Sequence, residues 1–277
     1  MLKVLIVVAA VAAVWLCGVA NAGSGSGGER GMLTGESGRL DGSDGYDMYA
    51  FAQFWTGSTC NLPTGSSKDA VSCRYAPGPL PSPAFEVHGL WPTFESGAKS
   101  PMFCNKTAQF NAKELTPVRT LMDVFWASMN GGPSEHFWEH EWDKHGTCTQ
   151  LPAGKQAGAH PTQLEYFSTV LGLRLEMDMG ALFASCGITP TFKPAYTVAQ
   201  MVECLDETLG VSDALISCSH AADGVLQLNE VWLSMDLDLE LIDTPPSYHT
   251  IYYPTMGCKL NDVVALPPFT DPLRASS

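Results

Sequence analysis

The sequence predicts an α+β fold. Strand patterns stand at both ends of the folded region, and helical patterns are grouped between them. A hairpin signal, Asp223-Gly224, joins two of the late strand patterns. Glycine (26) and proline (19) are frequent, which favours a turn-rich chain over a simple helical bundle.

The elements follow in order. Tyr49 to Trp55 (YAFAQFW) reads as a strand and Phe85 to His88 as a short second one, ending at a turn bounded by Gly89 and Pro92. Leu115, Val118, Leu121, Met122, Phe125 and Met129 recur at helical spacing, which predicts a helix over 111–129. Further helices are expected over 137–146, 163–182 and 198–209, the last capped by Thr197. Strands are expected at 214–219, 225–236 and 248–253.

Residues 1–22 read as a cleaved export signal: Lys3, an apolar run from Val4 to Cys17, then Ala20-Asn21-Ala22 at the cleavage site. The alternative, a membrane anchor, is disfavoured because the run is short for a bilayer span. Residues 23–45 form a Gly/Ser-rich arm of linker composition. The folded domain is expected over 46–260, and 261–277 as a proline-containing tail.

Of nine cysteines, Cys17 lies in the signal and eight remain. An even number in an exported chain suggests four disulfides, but leaves the pairing open. No C-x-x-C spacing occurs, so a structural zinc site is poorly supported. The formal charge is −14, and loss of Lys3 with the signal makes it −15. Such a chain has no generally basic surface for nucleic acid and would need a local cationic cleft.

Two segments carry candidate chemistry. In His88-Gly89-Leu90-Trp91-Pro92 a histidine leaves a strand into a turn and can face a cleft; the alternative is a hydrogen-bonded structural histidine. The denser segment runs from Phe137 to Cys148. On a helix Glu141 lies beside His145, and His140 beside Lys144. Adjacent pairs are roughly 100° apart, so the four can line one polar face. Trp138 and Trp142 make a second four-spaced pair able to anchor the helix. Imidazole exchanges protons near neutral pH, and lysine with a second histidine can neutralise charge on phosphoryl oxygens. A solvated, salt-bridged helix is the alternative. Zinc hydrolysis fits poorly: H-E-x-x-H needs histidine where Lys144 stands, and His145 comes one place late. His136 and His140 have the spacing, but Phe137 replaces the glutamate.

These two segments resemble the two active-site segments of the ribonuclease T2 family, in the right order, and Gln53-Phe54-Trp55 and 224–231 extend the resemblance. Thr56, where many relatives carry proline, and a long loop at 151–160 depart from the family pattern. The resemblance implies an antiparallel sheet packed against helices. It also implies an endoribonuclease that cuts single-stranded RNA, not DNA, through 2′,3′-cyclic phosphates and then 3′-phosphates, without a cofactor or metal. It implies His145 as general base, His88 as general acid and Glu141 as their catalytic partner. Lys144 and His140 would bind phosphate, with Phe137 and Gln53 as further substrate contacts. It pairs Cys60–Cys73, Cys104–Cys148, Cys186–Cys258 and Cys204–Cys218. An inactive relative serving storage or recognition would lack one of the catalytic histidines, and both are present. Asn105-Lys106-Thr107 is a sequon, so Asn105 is the expected glycan acceptor. A secreted monomer, free of the membrane once the signal is removed, or a vacuolar one, is expected.

Overall fold

The computed structural model describes residues 45–60, 85–129, 132–151 and 160–269. The expected leader, most of the Gly/Ser arm, most of the 151–160 loop and Cys73 of the Cys60–Cys73 pair lie outside the described residues.

Seven strands among the described residues form one mixed sheet. They are β1 (Met48–Trp55), β2 (Phe85–Thr93), β3 (Thr191–Thr197), β4 (Leu215–His220), β5 (Leu226–Met235), β6 (Leu241–Ile242) and β7 (Val263–Leu266). The path runs β2-β1-β5-β7-β3, with β4 and β6 also paired to β5. The pairings are antiparallel except β5 with β7. Every residue of β1 is buried, as a central strand covered on both faces requires. β2 lies at the end of the path, where Pro92 fits because an edge strand need not donate on its outer side.

The helices are α1 (Arg119–Phe125), α2 (Ser134–Lys144), α3 (Gln163–Glu176), α4 (Met179–Ser185), α5 (Val198–Leu209) and α6 (Pro246–Tyr252), besides a single turn at Thr56–Thr59. α5 matches its expected span and carries a capping box between Thr197 and Gln200. α3 carries another, between Thr162 and Glu165. α3 lies against β2: the Tyr166 hydroxyl donates to the Leu90 carbonyl at 3.1 Å, and the buried Arg174 Nε donates to Phe85 O at 2.9 Å. Trp126, Trp138, Tyr166 and Phe167 fill the core beneath.

Several expectations are corrected. β2 does not stop at His88 but continues to Thr93. The helix expected over 111–129 is a 3₁₀ segment, Ala112–Val118, followed by the short α1; Pro117 lacks the N–H that a continuous helix would use. The helix expected over 163–182 breaks at Met177–Asp178, where the Asp178 side chain accepts from Gly180 and Ala181 N–H and starts α4. The strand expected at 248–253 is mostly α6. Pro246 stands at the start of that helix, and Tyr248 packs on Tyr252 four residues on, ring centroids 4.3 Å apart. The tail expected from 261 enters the sheet as β7.

Two disulfides differ from the expected pairing: the bonds are Cys186–Cys204 and Cys218–Cys258. Cys186 ends α4, which packs on α5, the helix bearing Cys204. Cys218 lies on β4, whose backbone N–H donates to Met256 O at 2.6 Å and so brings Cys258 alongside. Cys104 and Cys148 are bonded, Cα atoms 5.0 Å apart.

Candidate active site

The site is built where β2 bends beside α2. Ala52 of β1 pairs with Gly89 and the next residue, Gln53, with Val87, so His88 is the extra residue of a β-bulge. A bulge re-aims the side chain it carries. The carbonyl of His88, freed from the ladder, accepts from the Trp126 indole N–H at 3.2 Å. The imidazole turns toward β5, where its Nδ1 lies 2.9 Å from Glu230 Oε1. With carboxylate as the acceptor, Nδ1 is the donor. The other carboxylate oxygen, Oε2, accepts from the Trp232 indole at 2.6 Å. A second bulge, leaving Asn229 unpaired between β4 and β5, adjoins Glu230.

His145 arrives from the opposite side. α2 ends at Lys144, and His145 is its C-cap, its N–H still bonded to Glu141 O at 3.1 Å. Glu141 is 1 % exposed, and its Oε2 accepts from the Trp91 indole at 2.9 Å. The Trp91 ring lies against both histidines, with centroids 4.8 Å from His88 and 5.4 Å from His145. Gly89 makes this approach possible, since a Cβ there would overlap both Glu141 Oε2 and the Trp91 indole nitrogen.

The two imidazoles stand in opposite fields. Burial disfavours charge on His88, but the charge and hydrogen bond of Glu230, with Glu141 adding, outweigh it and hold its pKa above the ordinary value. For His145 burial, Lys144, His140 and His88 all act in one direction and push its pKa far down. Its Nδ1 is buried with no hydrogen-bond partner. Glu141 therefore does not pair with His145; its carboxyl is raised by burial, opposed by His88, the Trp91 bond and Lys144. Burial pushes Glu230 up, but His88 and the Trp232 bond hold it below the usual carboxylate range.

Of the sequence-predicted set, His88, Glu141 and His145 come together around Trp91. His140 is exposed on α2, with Lys144 one turn on, and both bear electrostatically on His145. Phe137 is half-buried, its ring 5.9 Å from His88. Gln53 does not join them. It is buried in the core, where its amide donates to Met177 O at 3.1 Å, so it is withdrawn as a substrate contact. Sequence reasoning missed Glu230 and Trp232; the signal was an acidic residue inside an apolar strand pattern, LQLNEVWL. Among the described residues no group of three or more His, Cys, Asp or Glu side chains is arranged to hold a metal ion.

Two oppositely biased imidazoles beside a buried carboxyl and a cationic residue are an arrangement suited to general acid–base chemistry. Comparison with known proteins narrows that class. The chain belongs to the ribonuclease T2 family, whose family model matches residues 46–244. It is 30% identical over 196 residues to Ribonuclease 1 of Arabidopsis thaliana, covering 70% of this chain and 77% of that one. It is 31% identical over 170 residues to Ribonuclease T2 of Sus scrofa, covering 60% of this chain and 78% of that one. A crystal structure of RNase NT in complex with 5′-AMP superposes with a TM-score of 0.67 at 27% identity, covering 81% of this chain and all of that one. Human RNase T2 gives 0.59 at 26%, over 80% of this chain and 99% of that one. The chain is thus a ribonuclease T2-type endoribonuclease. Relatives in Solanum lycopersicum include both an extracellular ribonuclease, LE, and an intracellular one, LX. Disulfides such as those here suit the secretory pathway.

Proposed function

We propose that this ribonuclease cuts single-stranded RNA by passing each phosphodiester to its own 2′-hydroxyl. His145 takes the 2′-hydroxyl proton, the 2′-oxygen attacks phosphorus, and the P–O5′ bond breaks as His88 protonates the leaving 5′-oxygen. The products are a 2′,3′-cyclic phosphate and a 5′-hydroxyl. The cyclic ester is then hydrolysed more slowly to a 3′-phosphate, with the two histidines exchanging roles. The nucleophile belongs to the substrate, so no cofactor is required, and DNA lacks it.

The observation that carries this reading is the opposite setting of the two histidines. His88 has a carboxylate at Nδ1 that favours its protonated form, the form an acid needs; burial, Lys144, His140 and His88 favour the neutral form of His145, the form a base needs. His140 binds phosphate, and Glu141 and Lys144 polarise or stabilise the pentacoordinate state. Phe137 is a candidate platform for a base, a contact worth ~1–3 kcal/mol. A secreted or vacuolar monomer is the form in which we expect this to run.

The test is to incubate the purified protein with an RNA oligonucleotide and its 2′-deoxy counterpart, with and without EDTA. RNA cut to cyclic-phosphate ends in both conditions, with the deoxy strand intact, is expected. Cleavage of the deoxy strand, or activity lost to EDTA and restored by zinc, overturns it.

A further inference from the structure

Away from the histidines, a groove of about 390 Å³ opens where the loop after β2 meets α2. Phe103, Asn105, Gln109, Phe110, Glu139 and Asp143 are among its lining residues. Glu139 and Asp143 are four apart and share one helix face, roughly 100° round the axis from the face of His140 and Lys144. The groove is therefore distinct from the catalytic site, though built on the same helix.

The loop is firmly held. Phe103 N–H donates to Lys144 O at 3.0 Å, the Trp142 indole donates to Ala108 O at 2.7 Å, and Cys104 is bonded to Cys148. Yet this anchored loop presents its apolar side chains to solvent: Phe103 is 49 % exposed and Met102 38 %. Phe103 also sits at φ 55°, uncommon for an aromatic residue. Two residues on, Asn105 is the acceptor of the Asn105-Lys106-Thr107 sequon. Its Oδ1 accepts from Thr107 N at 3.0 Å and Thr107 Oγ1 at 2.7 Å, which fixes its side chain.

We propose that the groove is the cradle of an N-linked glycan on Asn105, whose first N-acetylhexosamine packs its apolar C–H face on Phe103. The matching chemistry is an aromatic face for the apolar side of the ring, with the Glu139 and Asp143 carboxylates and the Gln109 amide to accept or donate at its hydroxyl edge. Such a glycan covers the exposed Phe103 and ties the loop to α2, so it stabilises the fold without entering the catalytic chemistry. The proposal is independent of the cleavage mechanism above.

The experiment is a cycle in a glycosylating eukaryotic host. Wild type and Phe103→Ala are each made with and without Thr107→Ala, which removes the sequon, and melting temperatures are compared. Mass spectrometry is expected to find Asn105 occupied. The glycan is expected to raise Tm by about 2–4 °C in the wild-type background. That gain should survive enzymatic trimming to a single sugar, vanish in Phe103→Ala and return in Phe103→Tyr. A bare Asn105, or equal gains with and without the Phe103 ring, overturns the proposal.

Discussion

Glu230 accepts a hydrogen bond from His88 Nδ1 at 2.9 Å across 142 residues of sequence, while His145 Nδ1 is buried without a partner. The contrast biases the two rings toward opposite protonation states, and Glu230 is the group that a substitution can switch off. In Glu230→Gln a neutral amide replaces the carboxylate that keeps the His88 pKa up. A raised histidine pKa means that the protonated ring persists to higher pH, so losing its support leaves burial unopposed and moves the alkaline limb of kcat/KM downward. The acid limb, which belongs to His145, should stay in place. An alkaline limb unmoved in Glu230→Gln would mean that this carboxylate does not set the acid.

Gly89→Ala tests the Trp91 contact with the histidines. The new methyl cannot coexist with the Glu141–Trp91 hydrogen bond. Relief requires that Trp91 or Glu141 shift, a strain of about 1–3 kcal/mol by the usual cost of overpacking. Activity should fall far more than stability, because the Trp91 ring lies against both histidines and Glu141 bears electrostatically on His88. A Gly89→Ala protein with a lowered Tm and unchanged kcat/KM would show that the Trp91 position is not critical.

The Cys104–Cys148 bond joins the loop after β2 to the turn that carries His145. It closes a loop of sequence separation 44, for which the chain-entropy relation gives about 4 kcal/mol. Cys104→Ala with Cys148→Ala should therefore unfold at distinctly lower denaturant. Peptide mapping of the intact protein should return Cys186–Cys204 and Cys218–Cys258; crossed partners would contradict the packing of α4 on α5 and of the Met256 segment on β4.

Much of the fold was legible wherever the signal was local. Thr197 as cap marked the start of α5, Asp223-Gly224 marked the β4–β5 hairpin, and the two histidine segments marked the site. What failed was non-local. The bulge at His88 depends on how β1 registers against β2, and Glu230 meets His88 only once β5 has joined the sheet. Glu141 and His145 have helical spacing, yet their side chains part because the helix ends between them and Trp91 claims the carboxylate. Tyr248 to Tyr253 carries strand-forming residues, and its preference lost to Pro246 and to aromatic packing at helical spacing. Two disulfides followed contacts of this kind, α4 on α5 and the Met256 segment on β4, rather than the pairing that the resemblance implied.

The last prediction separates acid from base. His145 has a lowered pKa, so it stays neutral and able to accept a proton until the pH falls well below ~6.5. His88 has a raised pKa, so it stays protonated until the pH rises above ~6.5. The productive form lies between, giving a bell whose acid limb is His145 and whose alkaline limb is His88. The charge of −14 repels polyanionic RNA less as carboxylates protonate, which moves the maximum of kcat/KM to roughly pH 5–6. His88→Ala and His145→Ala should each lower kcat about 10²–10⁴-fold on RNA, and Lys144→Ala less. A nucleoside 3′-phosphate ester with a nitrophenolate leaving group needs no proton on departure. On that substrate His88→Ala should recover most of its rate and lose the alkaline limb, whereas His145→Ala should stay impaired. Recovery in His145→Ala instead would exchange the two roles, and recovery in neither would remove proton transfer to the leaving group from the mechanism.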